Sequence, residues 1–281
     1  MEEKSAEKEV MTIAHISDLH FGSNYFISNL INQTLQELNE LSPDAVVITG
    51  DITDEGFRGE YKTAKVFLDN LTTKNRLFVP GNHDSRNVGY VHFEDFFGDR
   101  NSVLKMKGLN IVGVDSSEPD LDSGRVGRER YKWIQREMEE SDDFKIVALH
   151  HHLIPVPGTG RERNIVYDAG DLLEVLMKSG VDLVLCGHKH VPNVWHIENL
   201  VVINAGTAST LRLRGRHKPC YNLIKILGEN VRVFRKYPFG DQELIADFSI
   251  AQRKYCKWEG RENESTTGGD LSFKTFKKQS S

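Results

Sequence analysis

Five short apolar runs, Met11 to Ile16, Ala45 to Thr49, Arg76 to Val79, Lys145 to Leu149 and Asp182 to Leu185, punctuate the first two thirds of this chain, and each ends in residues able to bind a cation. The runs are short, and Ala45 to Thr49 is β-branched, the pattern of a strand buried on both faces. Between them lie segments of helical period. Leu30, Ile31, Leu35, Leu38 and Leu41 mark a helix that ends before Pro43, and a second helix is predicted from Glu60 to Leu71. Further helices are expected over 88–98, Arg128 to Glu140 and Ala169 to Ser179, with a hairpin about Lys107-Gly108. Strand alternating with helix implies right-handed crossovers and a mainly parallel sheet, whose ligands bind beyond the carboxyl ends of the strands.

From Val194 the texture changes. Val194 to Ile197, Leu200 to Ile203, Ser209 to Leu213, Cys220 to Ile226 and Val231 to Arg235 read as strands with no helix between them, and Gly228-Glu229-Asn230 as a turn. A second, largely antiparallel sheet packed on the first is expected. The predicted fold class is α/β, a four-layer αββα sandwich of two mixed β-sheets flanked by helices. Residues 1–9 read as a solvated charged tail, 10–250 as one catalytic domain, and 251–281 as a polar C-terminal extension with too little apolar content to bury.

With 281 residues, 38% of them hydrophobic, the chain can bury a large core. The formal charge of −5 provides no field to attract nucleic acid, which counts against a nuclease. Cys186, Cys220 and Cys256 are too few and too scattered for a disulfide framework or a thiolate zinc site, and they suit a reducing compartment. The N-terminus lacks an apolar core of the signal-peptide kind, and no run of 18 apolar residues occurs, so a cytoplasmic protein with no membrane partner is expected.

The strand ends present Asp18 and His20, Asp51, Asn82 and His83, His150, and His188 with His190. Singly, each has a bland explanation: a turn, a helix cap, or an interior histidine. Together they can provide two carboxylates, four histidines and one side-chain amide as metal donors. That set contains no thiolate and suits Mn, Fe, Zn or Co. It is too large for one ion with an open position and about right for two, so one carboxylate must bridge. Asp51, on the central strand, is the candidate.

Asp18-Leu19-His20, Gly50-Asp51-x-x-Asp54, Gly81-Asn82-His83-Asp84, His150 and Gly187-His188-Lys189-His190 resemble, in this order, the signature blocks of the calcineurin-like metallophosphoesterase superfamily, over roughly Thr12 to Gly206. Gly81-Asn82-His83-Asp84-Ser85-Arg86-Asn87 with Phe93 looks most like the branch of cyclic-nucleotide and glycerophosphodiester phosphodiesterases. The resemblance implies two divalent transition metal ions, one held by Asp18, His20 and His190, the other by Asn82, His150 and His188, with Asp51 shared. It also implies that His83 stands beside the bound phosphate and stabilises or protonates the departing alkoxide. The expected reaction is hydrolysis of a small phosphodiester by a hydroxide bridging the metals, without a covalent phosphoenzyme. A phosphomonoesterase, a pyrophosphatase or a nuclease of the same fold are the alternatives, and a non-catalytic scaffold is the alternative of another class.

His150-His151-His152 departs from the His-His-Pro-Pro of many relatives and leaves the donor there open by one or two residues. His150 is chosen because it leaves the strand directly; His151 and His152 are expected to be solvated or to support the site. Asp54 and Asp84 read as carboxylates that orient a metal-binding His or amide, with Asp54 equally readable as a helix cap. Arg86 is a candidate substrate contact, against a solvated loop cation. Arg212, Arg214, Arg216, His217 and Lys218 form one basic cluster, facing either an anionic substrate or solvent. Substrate choice should depend on a cap built from 86–100, 115–127 and 155–168. Either a monomer or a homodimer is compatible with the sequence.

Overall fold

The computed structural model describes residues 10–139, 143–160, 164–250 and the backbone of 254–257. The expected terminal tails therefore lie almost wholly outside the described residues. In chain order the elements are β1 (Val10–Ile16), α1 (Ser28–Leu41), β2 (Ala45–Thr49), α2 (Arg58–Leu68), β3 (Arg76–Val79), α3 (Gly89–Phe97), β4 (Ser102–Met106), β5 (Leu109–Gly113), α4 (Arg128–Glu139), β6 (Phe144–Ala148), α5 (Ala169–Lys178), β7 (Leu183–Cys186), β8 (Asn193–Ile197), β9 (Leu200–Asn204), β10 (Tyr221–Leu227), β11 (Asn230–Lys236), β12 (Gln242–Ser249) and β13 (Lys254–Lys257).

They form two mixed sheets, ordered β13-β12-β11-β10-β1-β2-β3 and β4-β5-β6-β7-β9-β8. The period-2 alternation of the strands divides their side chains between layers. In β2, Ala45 and Val47 face the space between the sheets, where they join Ile13, Ile111, Ile146 and Leu185. Val46 and Ile48 face outward onto Ile31, Leu35 and Leu38 of α1 and Tyr61 and Ala64 of α2. On the far side Val112, Val147 and Val184 pack on Ile134 and Met138 of α4 and Leu172 and Leu176 of α5. Three apolar layers between four layers of structure make the αββα sandwich. Each fully buried Val, Leu or Ile stabilises it by about 1.5–3 kcal/mol.

The division of strands between the sheets differs from the sequence expectation. The antiparallel strands after residue 193 do not make a sheet of their own. β10 pairs antiparallel with β1, continuing the first sheet, whereas β9 pairs parallel with β7 and completes the second. Strand composition carries no information about which edge is free, so this partition is a tertiary fact. β12 was not expected, although the Tyr237-to-Gly240 turn signals a hairpin before it. β13 pairs with β12 and carries the sheet past residue 250.

Ser209 to Leu213 is not a strand; it touches Phe26 through a single bridge at Thr210. Hydroxyls within it and just before it compete with a ladder. Thr207 Oγ1 donates to the Asp18 carbonyl at 2.7 Å and accepts from the Thr210 amide at 3.1 Å, and Ser209 Oγ donates to the Leu19 carbonyl at 2.6 Å. The segment is thereby tied to the loop after β1.

Candidate metal centre and its surroundings

The loops after β1, β2, β3, β6 and β7 meet at one edge of the sandwich. The loop after β1 lies along the loop after β2: the Asp18 amide donates to the Gly50 carbonyl at 3.0 Å and the His20 amide to the Asp51 carbonyl at 2.9 Å. The turns are sharp. Asp18, His20, Asp51, His188 and His190 all have positive φ, between 48° and 75°. Non-glycine residues rarely adopt this conformation, and such strain persists where the surroundings over-determine it. Two glycines permit the close approach of the turns. A Cβ on Gly81 would lie 2.4 Å from the Asp51 amide nitrogen, and one on Gly187 would lie 2.7 Å from Asp18 Oδ2.

All seven predicted donor residues converge. Asp18, His20, Asp51 and His190 form one group whose ligand atoms lie within 4.8 Å of one another, and Asp51, His150 and His188 form another. In the first, His190 Nε2 lies 3.2 Å from Asp18 Oδ1 and 2.9 Å from His20 Nε2. In the second, Asn82 Oδ1 lies 3.2 Å from His150 Nε2 and 3.0 Å from His188 Nδ1. Asp51 Oδ2 stands between them, 3.7 Å from His20 Nε2 and 3.3 Å from His150 Nε2.

The residues around these donors aim them. His150 Nδ1 donates to the Thr49 carbonyl at 2.7 Å and His190 Nδ1 to the Arg212 carbonyl at 2.5 Å, so both Nε2 atoms keep a lone pair for a ligand. Asn82 Nδ2 donates to Asp122 Oδ1 at 3.2 Å, which turns Oδ1 of the amide toward the histidines. Burial opposes charge throughout the cluster. It lowers His20 to about 4 against the pull of Asp54 and Asp51. At His150 burial also acts downward, but the Asp51 carboxylate beside it prevails and carries the imidazole up to about 9, so a cation binding there must displace a proton from Nε2. Asp51 itself is held well below the carboxylate range, because His150 and His83 outweigh its burial.

The supporting residues differ in part from expectation. Asp54 faces His20, with Oδ1 3.2 Å from Nδ1, and does not cap α2. The cap is provided by Glu60, whose Oε2 accepts the amides of Glu55 and Phe57. Asp84 touches no donor side chain. Its carboxylate accepts the backbone amides of Ile52, Thr53 and Gly81 at 2.8–3.0 Å and so locks the two turns that carry Asp51 and Asn82. Burial and the nearby Asp51 push its carboxyl up to about 6. Neither His151 nor His152 is solvated; both are fully buried. His151 sits between Ser116 Oγ, 2.9 Å from its Nδ1, and the Asp122 carbonyl, and the His152 ring stacks on His188.

Above the donors lies a cavity of about 260 Å³, lined by Asp51, Asn82, His83, His188 and His190 and rimmed by Arg86 and Arg212, among others. His83 Nδ1 donates to the Asp54 carbonyl, leaving Nε2 to face Arg212 Nη1 at 3.4 Å. Arg86 is held by Glu55 Oε1 at 2.9 Å and Asp122 Oδ1 at 3.2 Å. The three expected cap segments each send a residue to this cavity: Arg86, Asp122 and Asn164.

The profile of the family described as calcineurin-like phosphoesterase matches residues 11–192. The chain belongs to this family. Proteins of similar sequence include a probable glycerophosphodiester phosphodiesterase of Arcobacter nitrofigilis, 29% identical over 71% of this chain and 79% of its own length, and a cAMP/cGMP dual specificity phosphodiesterase of Mycobacterium tuberculosis, 27% identical over 84% of this chain and 82% of its own. The fold is shared with a purple acid phosphatase of yellow lupin (TM-score 0.68, 14% identity, 86% of this chain) and a dimetal phosphatase of Danio rerio (TM-score 0.66, 12% identity, 84% of this chain and 98% of that one). This chain spans 53% of the lupin enzyme.

Sequence reasoning missed two features of this phosphoesterase site. Asp122, which aims Asn82, lies in a loop without a motif. Arg212 lay within the noticed basic cluster, but only the tertiary structure singles out its carbonyl on His190 and its guanidinium beside His83. Outside the site, no motif marks His15, which is buried with Thr49 Oγ1 2.9 Å from Nε2.

Proposed function

We propose that this chain is a metal-dependent phosphodiesterase of small substrates, with Asp18, His20, Asp51 and His190 holding one divalent cation and Asp51, Asn82, His150 and His188 a second. The observation that carries the reading is the position of Asp51 Oδ2, common to both donor groups. The donors fit such ions: they are buried nitrogens and oxygens with no thiolate among them, and the remaining hydrogen-bonding groups of His150, His190 and Asn82 are already committed to protein acceptors. This chemistry suits Mn, Fe, Zn or Co. When bound, the ions would neutralise phosphoryl oxygens and acidify a water to serve as nucleophile.

The protein's own residues orient and select. The 260 Å³ cavity receives the phosphoryl group. Arg212 and His83 meet the negative charge that develops on its oxygens, where fixed donors are most effective. His83, oriented by the Asp54 carbonyl, presents Nε2 toward the leaving-group oxygen and stabilises it when protonated. The names of the similar proteins support a cyclic nucleotide or a glycerophosphodiester as the substrate type. The acidic net charge disfavours a nucleic acid substrate. No helix among the described residues is long and apolar enough to cross a membrane, and Cys186 and Cys220 are buried free thiols, which supports residence in a reducing compartment such as the cytoplasm.

The test is hydrolysis of bis(p-nitrophenyl) phosphate by chelator-stripped protein, with and without Mn²⁺. Turnover should require the metal, and close to two ions per chain should be retained. Reconstituted protein inactive on every phosphomonoester and phosphodiester offered would overturn the enzyme reading and favour a scaffold.

A further inference from the structure

A second cavity of about 550 Å³ opens beside the phosphoryl cavity and shares His83, Arg86, Arg212 and Leu213 with it. Its remaining walls include Tyr25 and Leu211, large hydrophobic side chains exposed at 57% and 53%. The wall is firmly built. The Leu211 amide donates to the Tyr25 carbonyl at 3.0 Å and the Ile27 amide to the Ser209 carbonyl at 2.8 Å. Between those bonds Phe26 is anchored on Phe21, with ring centroids 4.7 Å apart. Tyr25 is thus presented next to a charged site by a fixed stretch of backbone.

Resting on the phosphodiesterase reading above, we propose that this groove is the subsite for the organic part of the ester, that Tyr25 is a specificity-determining residue which stacks on a planar ring, and that Arg212 spans the two cavities and grips the phosphate. The chemistry favours an ester bearing a heteroaromatic base over one bearing a small polyol. Three features converge on this. The groove has twice the volume of the phosphoryl cavity and lies within the ordinary range of small-molecule sites, leaving room for a ring system. Tyr25, Leu211 and Leu213 supply an apolar wall, and the other lining groups are polar, among them the carboxylates of Asp54 and Glu55 and the amide of Asn24, which is available to a ring edge. Its only strong cations, Arg86 and Arg212, stand where it meets the phosphoryl cavity, and of these Arg86 is already paired with Glu55 and Asp122. Arg212 has 47% of its side chain exposed and only the Asp54 carboxylate nearby, at 3.7 Å.

The experiment compares kcat/KM of the Mn²⁺-loaded full chain for 3′,5′-cyclic AMP and for glycerophosphoethanolamine, in wild type, Tyr25→Ala and Tyr25→Phe, alongside calorimetric binding of AMP and of inorganic phosphate. In Tyr25→Ala the ratio of the two kcat/KM values should fall about tenfold, the size of one base–aromatic stack, and AMP should lose about tenfold in affinity relative to phosphate. Tyr25→Phe should restore both. Arg212→Ala should weaken phosphate and AMP alike while metal content stays at the wild-type level, since the carbonyl that holds His190 belongs to the backbone. An unchanged ratio in Tyr25→Ala, or equal loss on both esters, would overturn the assignment. Wild-type protein that hydrolyses neither diester would instead overturn the phosphodiesterase reading, while the calorimetric comparison still decides the groove.

Discussion

Asp51 bears two kinds of contact through its two oxygens. Oδ2 lies between His20 and His150, and Oδ1 accepts the His83 amide at 2.9 Å. Residues on either side of it are separable. His20→Ala should lower occupancy of one metal while the Asn82, His150 and His188 group stays partly filled, as read by metal content per chain; equal loss of both ions would show that the centre assembles only as a unit. A second residue makes a pH prediction. His15 is fully buried, accepts from Asn222 at Nδ1, and is held neutral down to about 3, chiefly by burial. Its folded pKa lies below the unfolded value, so the unfolded chain takes up the proton first. Stability is complete above the unfolded pKa of 6.5 and is lost as pH falls from there toward 3. The slope for one such group is about 1.4 kcal/mol per pH unit. Urea unfolding in chelator between pH 7.5 and 5.5 should therefore fall more steeply for wild type than for His15→Gln. Parallel profiles would mean that His15 is not kept neutral. His151, its hydrogen bonds taken by Ser116 and Asp122, shows why a run of three histidines was ambiguous as sequence: donor and support differ only in where each ring points.

At the scale of elements, the site is made by strand ends and the turns that follow them. These were legible because apolar runs, helical periods and polar termini are local patterns. Where side chains can bond the nearby backbone, local pattern misleads. Ser209 to Leu213 has the composition of a strand, but Ser209 spends its hydroxyl on the Leu19 carbonyl and the preceding Thr207 spends its own on the Asp18 carbonyl. The turns pack on one another so closely that small changes should matter. Gly81→Ala places a methyl group against the Asp51 backbone, and something in the two turns must move. The expected result is loss of both ions with only a modest change in the circular dichroism of the fold; retention of two ions per chain would show that the turns have slack. Asp84, which ties the same turns through three backbone amides, explains why this carboxylate matters without touching a donor side chain.

For the molecule as a whole, the candidate metal centre draws on both sheets. Asp18, His20, Asp51 and Asn82 follow strands of the first sheet, and His150, His188 and His190 follow strands of the second. Ions bound there should act as a clasp across the sandwich, stabilising it by mass action in proportion to the logarithm of their concentration over Kd. Chelation should lower Tm by several degrees, and Mn²⁺ should restore it; a Tm indifferent to chelator would mean that the ions are not held between the sheets. The sequence by itself determined the candidate donors, the strands they follow and the layered fold class, because residue type and period are properties of a short stretch. Only the tertiary structure decided which sheet each late strand joins, that Arg212 reaches back to His83 and His190, and that Tyr25 walls a groove beside them. Those outcomes depend on contacts between segments as far apart as residues 25 and 211, and no local pattern encodes a partner at that distance.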